Sequence, residues 1–516
     1  MKSIPECLFH SRSLACKKPY GAAPAGKKVE FAAYPRREQG ISRMTLWVEE
    51  DGQQAEAYPM RWFGLAGARD EYGASFTPPH AGLYWYWFTF DTADGPRFCA
   101  RGYGGRCEVL DSMGDRFQLT VYDPSYRPPR WFGEGITYNI FPDRFCRDRD
   151  PVQPEGEGIA PRVMHENWDD LPVYRPDEHG EILNNDFFGG TLRGVYAKLD
   201  YLESLHVTTI YFNPIFQAYS NHRYDTGDYK RIDPLLGCEE DFRALCSEAA
   251  RRGMRVVLDG VFNHTGSDSL YFNKEGRYGP GGAYRDPRSP YRSWYCWKDA
   301  AANMYESWWG FQSLPKLNSR DESWREFLCG ENGIVRHWLR LGADGWRLDV
   351  VDEYPDELVR MIRQAARAEK PDALIIGEVW EDASNKESYG RQREYLLGEE
   401  LQSTMNYPFR SAAIDFMLGK LDPEGGWRLL PAAAVGAAGA LPPPLLGCDD
   451  EPPLQPRCSP GHHRAGRHPH AAPGSRLAAC PQYPYGGAVL PGAAAFHAGH
   501  PYDHDPARYA LPLLRR

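Results

Sequence analysis

Two patterns of apolar residues divide the chain near residue 130. Up to that point, short runs rich in β-branched and aromatic residues are separated by Gly, Pro and Asp, as is typical of strands and turns. These runs are Lys28–Tyr34, Arg43–Glu49, Gly82–Phe90 and Arg116–Tyr122. They predict an N-terminal all-β domain of the β-sandwich type over residues 1–130. Its last residues, Arg127–Arg130, enclose two prolines and are predicted to form a stiff linker.

From Trp131 onward, short apolar runs alternate with amphipathic segments of helical period. The apolar runs are Ile136–Phe141, Val207–Asn213, Arg255–Val261, Ala343–Val350, Ala373–Val379 and Leu401–Met405. The amphipathic segments between them include Leu192–Leu205, Glu239–Arg252, Ser323–Leu341 and Glu357–Glu369. This repetition indicates parallel βα units, and we predict an α/β fold of the (β/α)8 TIM-barrel type over residues 131–428.

The alternation stops after Trp427. Residues 429–516 are rich in Ala, Pro, Gly, His and Arg and follow neither a strand nor a helix period, which is typical of a disordered low-complexity tail. The last two strands of the predicted barrel, the seventh and eighth, are therefore missing from the pattern.

Composition narrows the class of protein. The 516 residues carry a formal net charge of −10 and no basic block, so we expect no nucleic-acid partner. We find no apolar run of roughly 18 residues and no signal peptide, and expect neither a membrane span nor secretion. The 12 cysteines show no metal-ligand spacing, and we interpret them as reduced thiols of a cytoplasmic protein.

Polar residues stand where five successive barrel strands end. The segments are Pro142–Phe145, Asn213–Pro214, Asp259–His264, Arg347–Asp349 and Glu378. A TIM barrel places its active site at the carboxyl ends of its strands. Five such placements in order therefore predict an active site there.

Two carboxyl groups dominate this predicted site. Arg347 and Asp349 lie two residues apart and so on one strand face, where the arginine would keep Asp349 ionised. Glu378 ends the next strand among apolar residues, so we expect burial to keep it protonated. A retaining glycosidase uses such a pair as nucleophile and acid/base. The alternatives are a structural ion pair at Arg347 and a helix salt bridge at Glu378.

Several motifs in order resemble the α-amylase family of glycoside hydrolases, and most closely its neopullulanase, maltogenic amylase and cyclomaltodextrinase branch. The matching segments are Ile140–Phe145, Phe187–Gly190, Asn221–Thr226, Asp259–His264, Leu314–Asn318, Gly345–Asp349 and Gly377–Trp380. The resemblance covers roughly residues 131–420. It implies a retaining α-glycosidase that hydrolyses α-glucosidic bonds in maltodextrins, cyclodextrins or pullulan.

The resemblance also implies roles for single residues. Asp349 matches the family's nucleophile, Glu378 its acid/base and Arg347 the arginine that orients the nucleophile. The residues that match substrate-binding positions are Tyr224, which would stack beneath the sugar, His264, which would bond it, and His222, Asp259 and Trp380.

Domain organisation and partners follow from the same resemblance. The stretch 262–315 corresponds to a small inserted domain, and the partner is an α-glucan oligosaccharide or polysaccharide. The N-terminal domain allows a homodimer.

The aromatic run Leu83–Phe88 could bind glucan or pack against the barrel, and we favour packing.

The chain departs from the family at its calcium loop. Related enzymes hold Ca²⁺ with Asn and Asp residues where this sequence has Cys146–Asp150, and with an Asp where it has Thr191. Because Ca²⁺ takes six to eight oxygen ligands, the arginines Arg147 and Arg149 argue against a site. Asn263 resembles a ligand of another family calcium site, but it could equally hydrogen-bond within its loop. We expect no metal and no cofactor.

The tail suggests a frameshift. The family expects a seventh strand that ends in a His-Asp pair, and its Asp stabilises the transition state. Codons for Cys448–Cys458, read one base later, permit Ala-Met-Met-Asn-Leu-Leu-Ser-Ser-His-Asp, and Leu513–Arg516 permits Tyr-Tyr-Gly-Asp. We therefore hypothesise a one-base frameshift near residue 429, after which residues 429–516 are translated out of frame.

Three functions fit these observations. The first is an α-glucan hydrolase that is impaired in the literal chain. The second is a non-catalytic α-glucan-binding remnant, because the third carboxylate is missing. The third is a transglycosidase of the same fold. Retention of both Asp349 and Glu378 favours the first and third over the remnant.

Overall fold

A computed structural model describes residues 7–126, 128–150, 152–178, 180 and 182–418. The tail 429–516, where the frameshift is predicted, and Arg127 of the predicted linker lie outside these residues. Two β-sheets form the N-terminal part. One contains Lys17–Lys18, Val29–Ala33, Arg69–Phe76 and Arg61–Ala66. The other contains Cys107–Leu110, Gly95–Arg101, Gly82–Thr92, Phe117–Tyr122, Ala23–Pro24, Arg43–Glu50 and Glu56–Pro59.

The two sheets pack face to face around one aromatic core, which confirms the predicted β-sandwich. Tyr86 and Phe88 point inward from the central strand Gly82–Thr92, and the Tyr86 ring lies 4.9 Å from that of Phe31 on the opposite sheet. All four predicted strands are present. The remaining strands were missed because their charged and glycine residues interrupt the apolar alternation.

The outer face of the larger sheet turns toward the barrel. Gln118 donates a hydrogen bond to Ser384 Oγ (2.9 Å) and accepts one from Asn385 (3.0 Å). On the same face, the rings of Trp87 and Trp47 stack on each other at 6.2 Å. This face therefore contacts the barrel through Gln118, and whether the aromatic run Leu83–Phe88 packs there or binds glucan stays a prediction.

A six-stranded parallel sheet forms the second part. Its strands, in both chain and spatial order, are Ile136–Ile140, Val207–Phe212, Arg255–Gly260, Gly345–Leu348, Leu374–Gly377 and Ser403–Thr404. All six predicted strands are confirmed. Within the described residues the sheet is open, because its first and sixth strands each pair with one neighbour.

Helices cover the outside of this sheet. They are Leu192–Ala197, Leu199–Ser204, Glu239–Arg251, Glu322–Cys329, Ile334–Leu341 and Asp356–Glu369. A further helix, Tyr407–Met417, follows the sixth strand and has no buried residue. The amphipathic segment predicted over Ser323–Leu341 is helical, but it forms two helices. The chain breaks at Gly330–Gly333, where a side chain on Gly330 would collide with Glu326. Apolar spacing alone did not reveal this break.

The segment after the third barrel strand is mostly irregular. It contains a hairpin of Trp297–Asp299 and Met304–Tyr305 and short 3-10 turns at Arg292–Trp294 and Trp308–Gly310. Its buried aromatic residues, including Phe272, belong to the same apolar cluster as the barrel strands. The segment is therefore anchored on the barrel, above the carboxyl ends of the strands. The domain boundaries themselves stay predictions.

One cysteine pair contradicts the prediction of reduced thiols. Cys99 and Cys107 form a disulfide across two adjacent antiparallel strands. Their spacing matches no redox motif, and only the hairpin between them brings the sulfurs together. Seven other cysteines in the described part of the chain are free. In the same part, none of the helices has both the length and the apolar character needed to span a membrane.

Candidate active site

Strand geometry places Arg347 and Asp349 at the centre of the site. Gly345 begins the strand against the Leu374 carbonyl, where a side chain has no room. Arg347 and Asp349 then point to the same side, as predicted, and Arg347 Nη1 lies 2.8 Å from Asp349 Oδ1. Just beyond, Val350 adopts a left-handed backbone with φ 41°. A β-branched residue rarely adopts this strained conformation. The Val350 N–H donates a hydrogen bond to Glu378 Oε2 at 3.0 Å.

Arg347 bridges three carboxyl groups. Besides Asp349, its Nη1 lies 2.8 Å from Asp259 Oδ1, and its Nη2 lies 2.9 Å from Glu378 Oε2. All four side chains are buried, and they come from three adjacent parallel strands. The spacing of Arg347 and Asp349 predicts an arginine beside one carboxylate. The structure places one guanidinium among three carboxyl groups, an arrangement that cannot keep all three ionised.

The predicted order of the two pKa values is wrong for this ligand-free site. Burial raises the pKa of Glu378, but Arg347 and three further donors outweigh it, so that the pKa lies below its ordinary value. The further donors are Val350 N, Trp380 Nε1 at 3.2 Å and Tyr407 OH at 3.1 Å. The sequence showed the apolar neighbours of Glu378 along its own strand, but not these groups from elsewhere in the fold.

The pKa of Asp349 is also shifted against the prediction, upward where an ionised carboxylate was expected. Burial raises the pKa of Asp349 well above its ordinary value, and the attraction of Arg347 offsets this only in part. Arg347 is shared with Glu378 and Asp259, whose negative charges also raise the Asp349 pKa. Without a ligand, the cluster therefore favours the ionised form of Glu378 over that of Asp349.

A tyrosine and two histidines line the other side of Asp259. Tyr224 OH donates to Asp259 Oδ2 (2.9 Å) and accepts from Asn213 Nδ2 (3.0 Å), which fixes its ring. His222 Nδ1 accepts from the Tyr224 backbone N–H at 3.1 Å. Burial lowers the pKa of His264 to about 3, so its imidazole is neutral. Its Nε2 is buried and has no hydrogen-bond partner among the described residues, which leaves it available to a ligand.

All eight predicted site residues therefore lie in one cluster, which also contains two tyrosines that were not predicted. Tyr211 OH donates to Asp259 Oδ2 at 2.5 Å, and Tyr407 OH donates to Glu378. Tyr211 lies inside the second strand, and Tyr407 follows the sixth strand directly. Because the sixth strand was predicted, the rule that polar residues follow barrel strands could have identified Tyr407.

A buried ion cluster supports the loop that carries His222 and Tyr224. Arg223, between them, has a left-handed backbone with φ 61°, and its Nη2 lies 3.4 Å from Asp233 Oδ1. Arg162 makes two hydrogen bonds to the same carboxylate, at 2.7 and 2.6 Å. Burial raises the pKa of Asp233, but the two guanidinium groups outweigh it and bring the pKa to about 2. The loop is thus held by a charge-assisted anchor beneath the site.

The calcium loop does not fit a calcium ion. Asp148 Oδ1 is occupied by a 2.6 Å hydrogen bond from Thr191 Oγ1, which itself caps a helix. The guanidinium of Arg147 lies over the Trp168 ring and donates to the Glu166 carbonyl. Asn263 Nδ2 lies 3.3 Å from His264 Nδ1. Cationic and hydrogen-bonded groups thus occupy the places where oxygen ligands would be needed.

A chelator is therefore expected to leave thermal stability unchanged. A bound ion stabilises a protein only when the folded state holds it, so EDTA should not shift the melting temperature. Differential scanning fluorimetry with EDTA, and then with excess Ca²⁺, measures this. A fall of several degrees that Ca²⁺ reverses would contradict the prediction.

Comparisons with known proteins agree with this geometry. A family model described as alpha amylase, catalytic domain, matches residues 139–434. The chain is 36% identical over 455 residues to an amylopullulanase of Thermoanaerobacterium saccharolyticum, a match that covers 81% of this chain and 34% of that protein. It is 33% identical over 376 residues to the intracellular maltogenic amylase of Bacillus subtilis strain 168, covering 71% and 57%.

A solved structure supports the same relation. The type III pullulan hydrolase from Thermococcus kodakarensis superposes with a TM-score of 0.53 at 28% identity, covering 84% of this chain and 70% of that one. The chain thus spans a third to somewhat more than half of the length of the curated relatives named above.

Proposed function

This chain belongs to the α-amylase family of glycoside hydrolases, and from that premise we propose that it is a retaining α-glycosidase that hydrolyses α-glucosidic bonds in maltodextrins, cyclodextrins or pullulan. The relatives' names support this class of substrate. In this proposal Asp349 is the nucleophile, Glu378 the acid/base and Arg347 the group that orients both.

One observation carries the proposal: a single guanidinium bridges Asp349 and Glu378 at the carboxyl ends of adjacent barrel strands. Retaining glycosidases need two carboxyl groups about 5–5.5 Å apart on either side of the scissile bond. Asp349 and Glu378 both contact the guanidinium of Arg347, at 2.8 and 2.9 Å, and this shared partner keeps their carboxyl groups close together. A structural ion pair would not also gather an unpartnered histidine and a fixed tyrosine ring around the same point.

The reaction has two steps. Asp349 attacks the anomeric carbon while Glu378 gives its proton to the glycosidic oxygen, so the C–O bond breaks and a glycosyl ester forms on Asp349. Glu378, now ionised, then takes a proton from water as the water attacks the same carbon. Asp349 is released, and the α configuration is restored.

The mechanism requires the pKa of Glu378 to be higher, and that of Asp349 lower, in the substrate complex than in the ligand-free site. Without a ligand, Arg347 and three other donors favour the ionised form of Glu378. A sugar between the two carboxyl groups removes water and places the glycosidic oxygen at Glu378, which favours its protonated form. Asp349 must be ionised beside Arg347 to attack, so its pKa in the complex must lie below the raised value of the ligand-free site.

The product's anomeric form tests this mechanism. In a chain whose reading frame is restored after residue 428, the first product from maltohexaose is expected to be the α-anomer, because two inversions at one carbon give net retention. Proton NMR during the first turnovers, before mutarotation, measures it. An early β-anomer would refute the nucleophilic role of Asp349. Products longer than the substrate would instead favour a transglycosidase.

We further propose a cytoplasmic location, in which Cys99 and Cys107 would be kept reduced. The relative described as intracellular in Bacillus subtilis supports it. Short maltodextrins and cyclodextrins small enough to enter a cell are then the favoured substrates, ahead of polymeric starch.

A further inference from the structure

A strained turn comes directly after the proposed nucleophile. Residues Val351–Glu353 form one 3-10 turn, and Val350 before it has a left-handed backbone with φ 41° and ψ 52°. A β-branched residue keeps such a conformation only when the surrounding structure holds it there. Contacts from elsewhere in the fold must therefore fix this turn.

Arg393 contacts the backbone of the turn at both ends. It follows a hairpin of Glu387–Ser388 and Arg391–Gln392, in the loop between the fifth and sixth barrel strands. Its Nη2 donates to the carbonyl oxygen of Tyr354 at 2.6 Å and to that of Val351 at 3.4 Å. Arg393 is only 6% exposed, so these bonds are shielded from water. We call this pair of contacts the Arg393 clamp.

The same loop also holds the guanidinium and the side chain of the turn. Tyr395 OH accepts from Arg393 Nε at 3.0 Å and donates to Asp352 Oδ1, in the turn itself, at 2.6 Å. Asp356 Oδ1 lies 3.3 Å from the same Nε. The Arg393 backbone N–H donates to the Lys386 carbonyl, and Lys386 Nζ lies 3.3 Å from Asp352 Oδ2. A guanidinium that only neutralised Asp356 would not need to reach across the turn.

The turn in turn affects how Glu378 is held. Trp380 and Tyr407 donate to Glu378 Oε1, whereas Arg347 and the Val350 N–H donate to Oε2. Three of these donors are side chains. The fourth is a backbone group, and its direction depends on the conformation of the strained turn.

We propose that Arg393 is a positioning residue for the acid/base, because it fixes the turn that directs the Val350 N–H at Glu378. This inference rests on the function proposed above. Arg393 contacts neither Glu378 nor the proposed nucleophile and acts through the backbone of the turn. A general acid must be held within hydrogen-bond reach of the oxygen that it protonates. Loss of the clamp should therefore impair proton transfer from Glu378 more than attack by Asp349.

Arg393→Lys tests the clamp without a change of charge, since the ammonium group stays positive but lacks the planar fork. In the frame-restored chain, kcat/KM for maltohexaose is expected to fall about tenfold, part of the usual contribution of a general acid. For α-maltosyl fluoride, kcat/KM should stay within about threefold of the parent, because fluoride leaves without a proton from Glu378. Initial rates give the ratio of the two values, which a smaller fraction of folded enzyme does not alter.

Arg363→Lys is the matched control. Arg363 is 3% exposed and also donates to a backbone carbonyl, that of Gly398, nearer the sixth strand. The same substitution there should lower the melting temperature and leave the ratio of the two kcat/KM values unchanged. An equal change of this ratio in both variants would overturn the proposal, and so would an unchanged ratio in Arg393→Lys.

Tyr395→Phe is a milder second variant. It keeps the buried ring and removes the hydroxyl that joins Arg393 to Asp352. The ratio of kcat/KM for maltohexaose to that for α-maltosyl fluoride is expected to fall about threefold, roughly the effect of one lost hydrogen bond. If Arg393→Lys yields no folded enzyme, this ratio decides, and an unchanged value overturns the proposal.

Hydrogen exchange in the 516-residue chain tests the structural step by itself. The peptide that contains residues 350–354 is expected to exchange about tenfold faster or more in Arg393→Lys than in the parent, because the turn opens more often. Arg363→Lys should leave exchange in this peptide unchanged. Equal exchange in the parent and in Arg393→Lys, measured by mass spectrometry, would overturn the clamp.

Glu378→Gln separates this proposal from the proposed function. In the frame-restored chain it is expected to lower kcat/KM for maltohexaose about 10²–10⁴-fold and to spare α-maltosyl fluoride. If Glu378→Gln loses equally on both substrates, the acid/base assignment fails and the clamp fails with it. If Glu378→Gln spares the fluoride but Arg393→Lys keeps the parent's ratio, only the clamp fails.

Discussion

Asp349→Asn is expected to abolish turnover in the frame-restored chain, with a fall in kcat on the order of 10⁴ or more. An amide cannot attack the anomeric carbon, and the covalent intermediate is then lost. The substitution preserves shape and keeps an oxygen acceptor for Arg347 Nη1, which lies 2.8 Å from the present carboxylate. Maltohexaose binding should therefore remain, and initial rates together with calorimetric titration separate the two effects.

The same strand offers a matched control for this variant. Asp344 is also buried, but it precedes the strand at its opposite end, where it pairs with Arg255 and Lys370 at 3.2 Å. Asp344→Asn is expected to lower the melting temperature and to leave kcat of the folded enzyme nearly unchanged. If Asp344→Asn lost as much turnover as Asp349→Asn, the effect would reflect loss of a buried charge, and the nucleophile would have to be reassigned.

The sequence predicted the positions of the site residues better than their electrostatics. Parallel strands and their ends follow from short-range patterns, so Arg347, Asp349 and Glu378 could be placed together before any coordinates. Their pKa values depend on groups from distant segments, among them Tyr407 and the strained N–H of Val350. No local pattern shows these contacts, and the predicted protonation order was wrong for that reason.

Contacts between distant parts of the chain also explain other differences between the sequence predictions and the structure. The Cys99–Cys107 disulfide depends on two strands folding back on each other, which spacing alone does not show. Trp309 carries a left-handed backbone that its sequence gives no reason to expect, because Gly310 beside it is the residue that ordinarily adopts it. Predictions from sequence therefore fail mainly where strain or tertiary contact decides the conformation.

The restored reading frame is expected to raise kcat at least about 10²–10³-fold over the literal 516-residue chain, the usual effect of one preorganised charged group. No strand-like run of the literal sequence ends in the His-Asp pair that the family carries after its seventh strand, because the pair His504–Asp505 follows polar and proline residues. Catalytic groups act as a unit, so Asp349 and Glu378 do not compensate. The family match ends at residue 434, close to the predicted frameshift near residue 429.

The restored chain should also be thermally more stable than the literal chain. Across the part of the chain that the structure describes, Ile136–Ile140 and Ser403–Thr404 each have one strand neighbour, whereas a closed barrel leaves no edge. Two restored strands would pair with both edges and cover the apolar faces beside them. We therefore expect the restored chain to melt at a higher temperature and to aggregate less, as measured by scanning calorimetry and light scattering.

Expressing the literal and the restored chains side by side tests the frameshift. The Asp349→Asn variant of each chain serves as the inactive control. Restoration is expected to produce activity on maltohexaose and cyclodextrin that the Asp349→Asn control lacks. A literal chain that is monodisperse and as active as the restored one would refute the frameshift. In that case, a group within residues 429–516 would have to supply the missing transition-state charge, because Asp259, Asp349 and Glu378 already share the single guanidinium of Arg347.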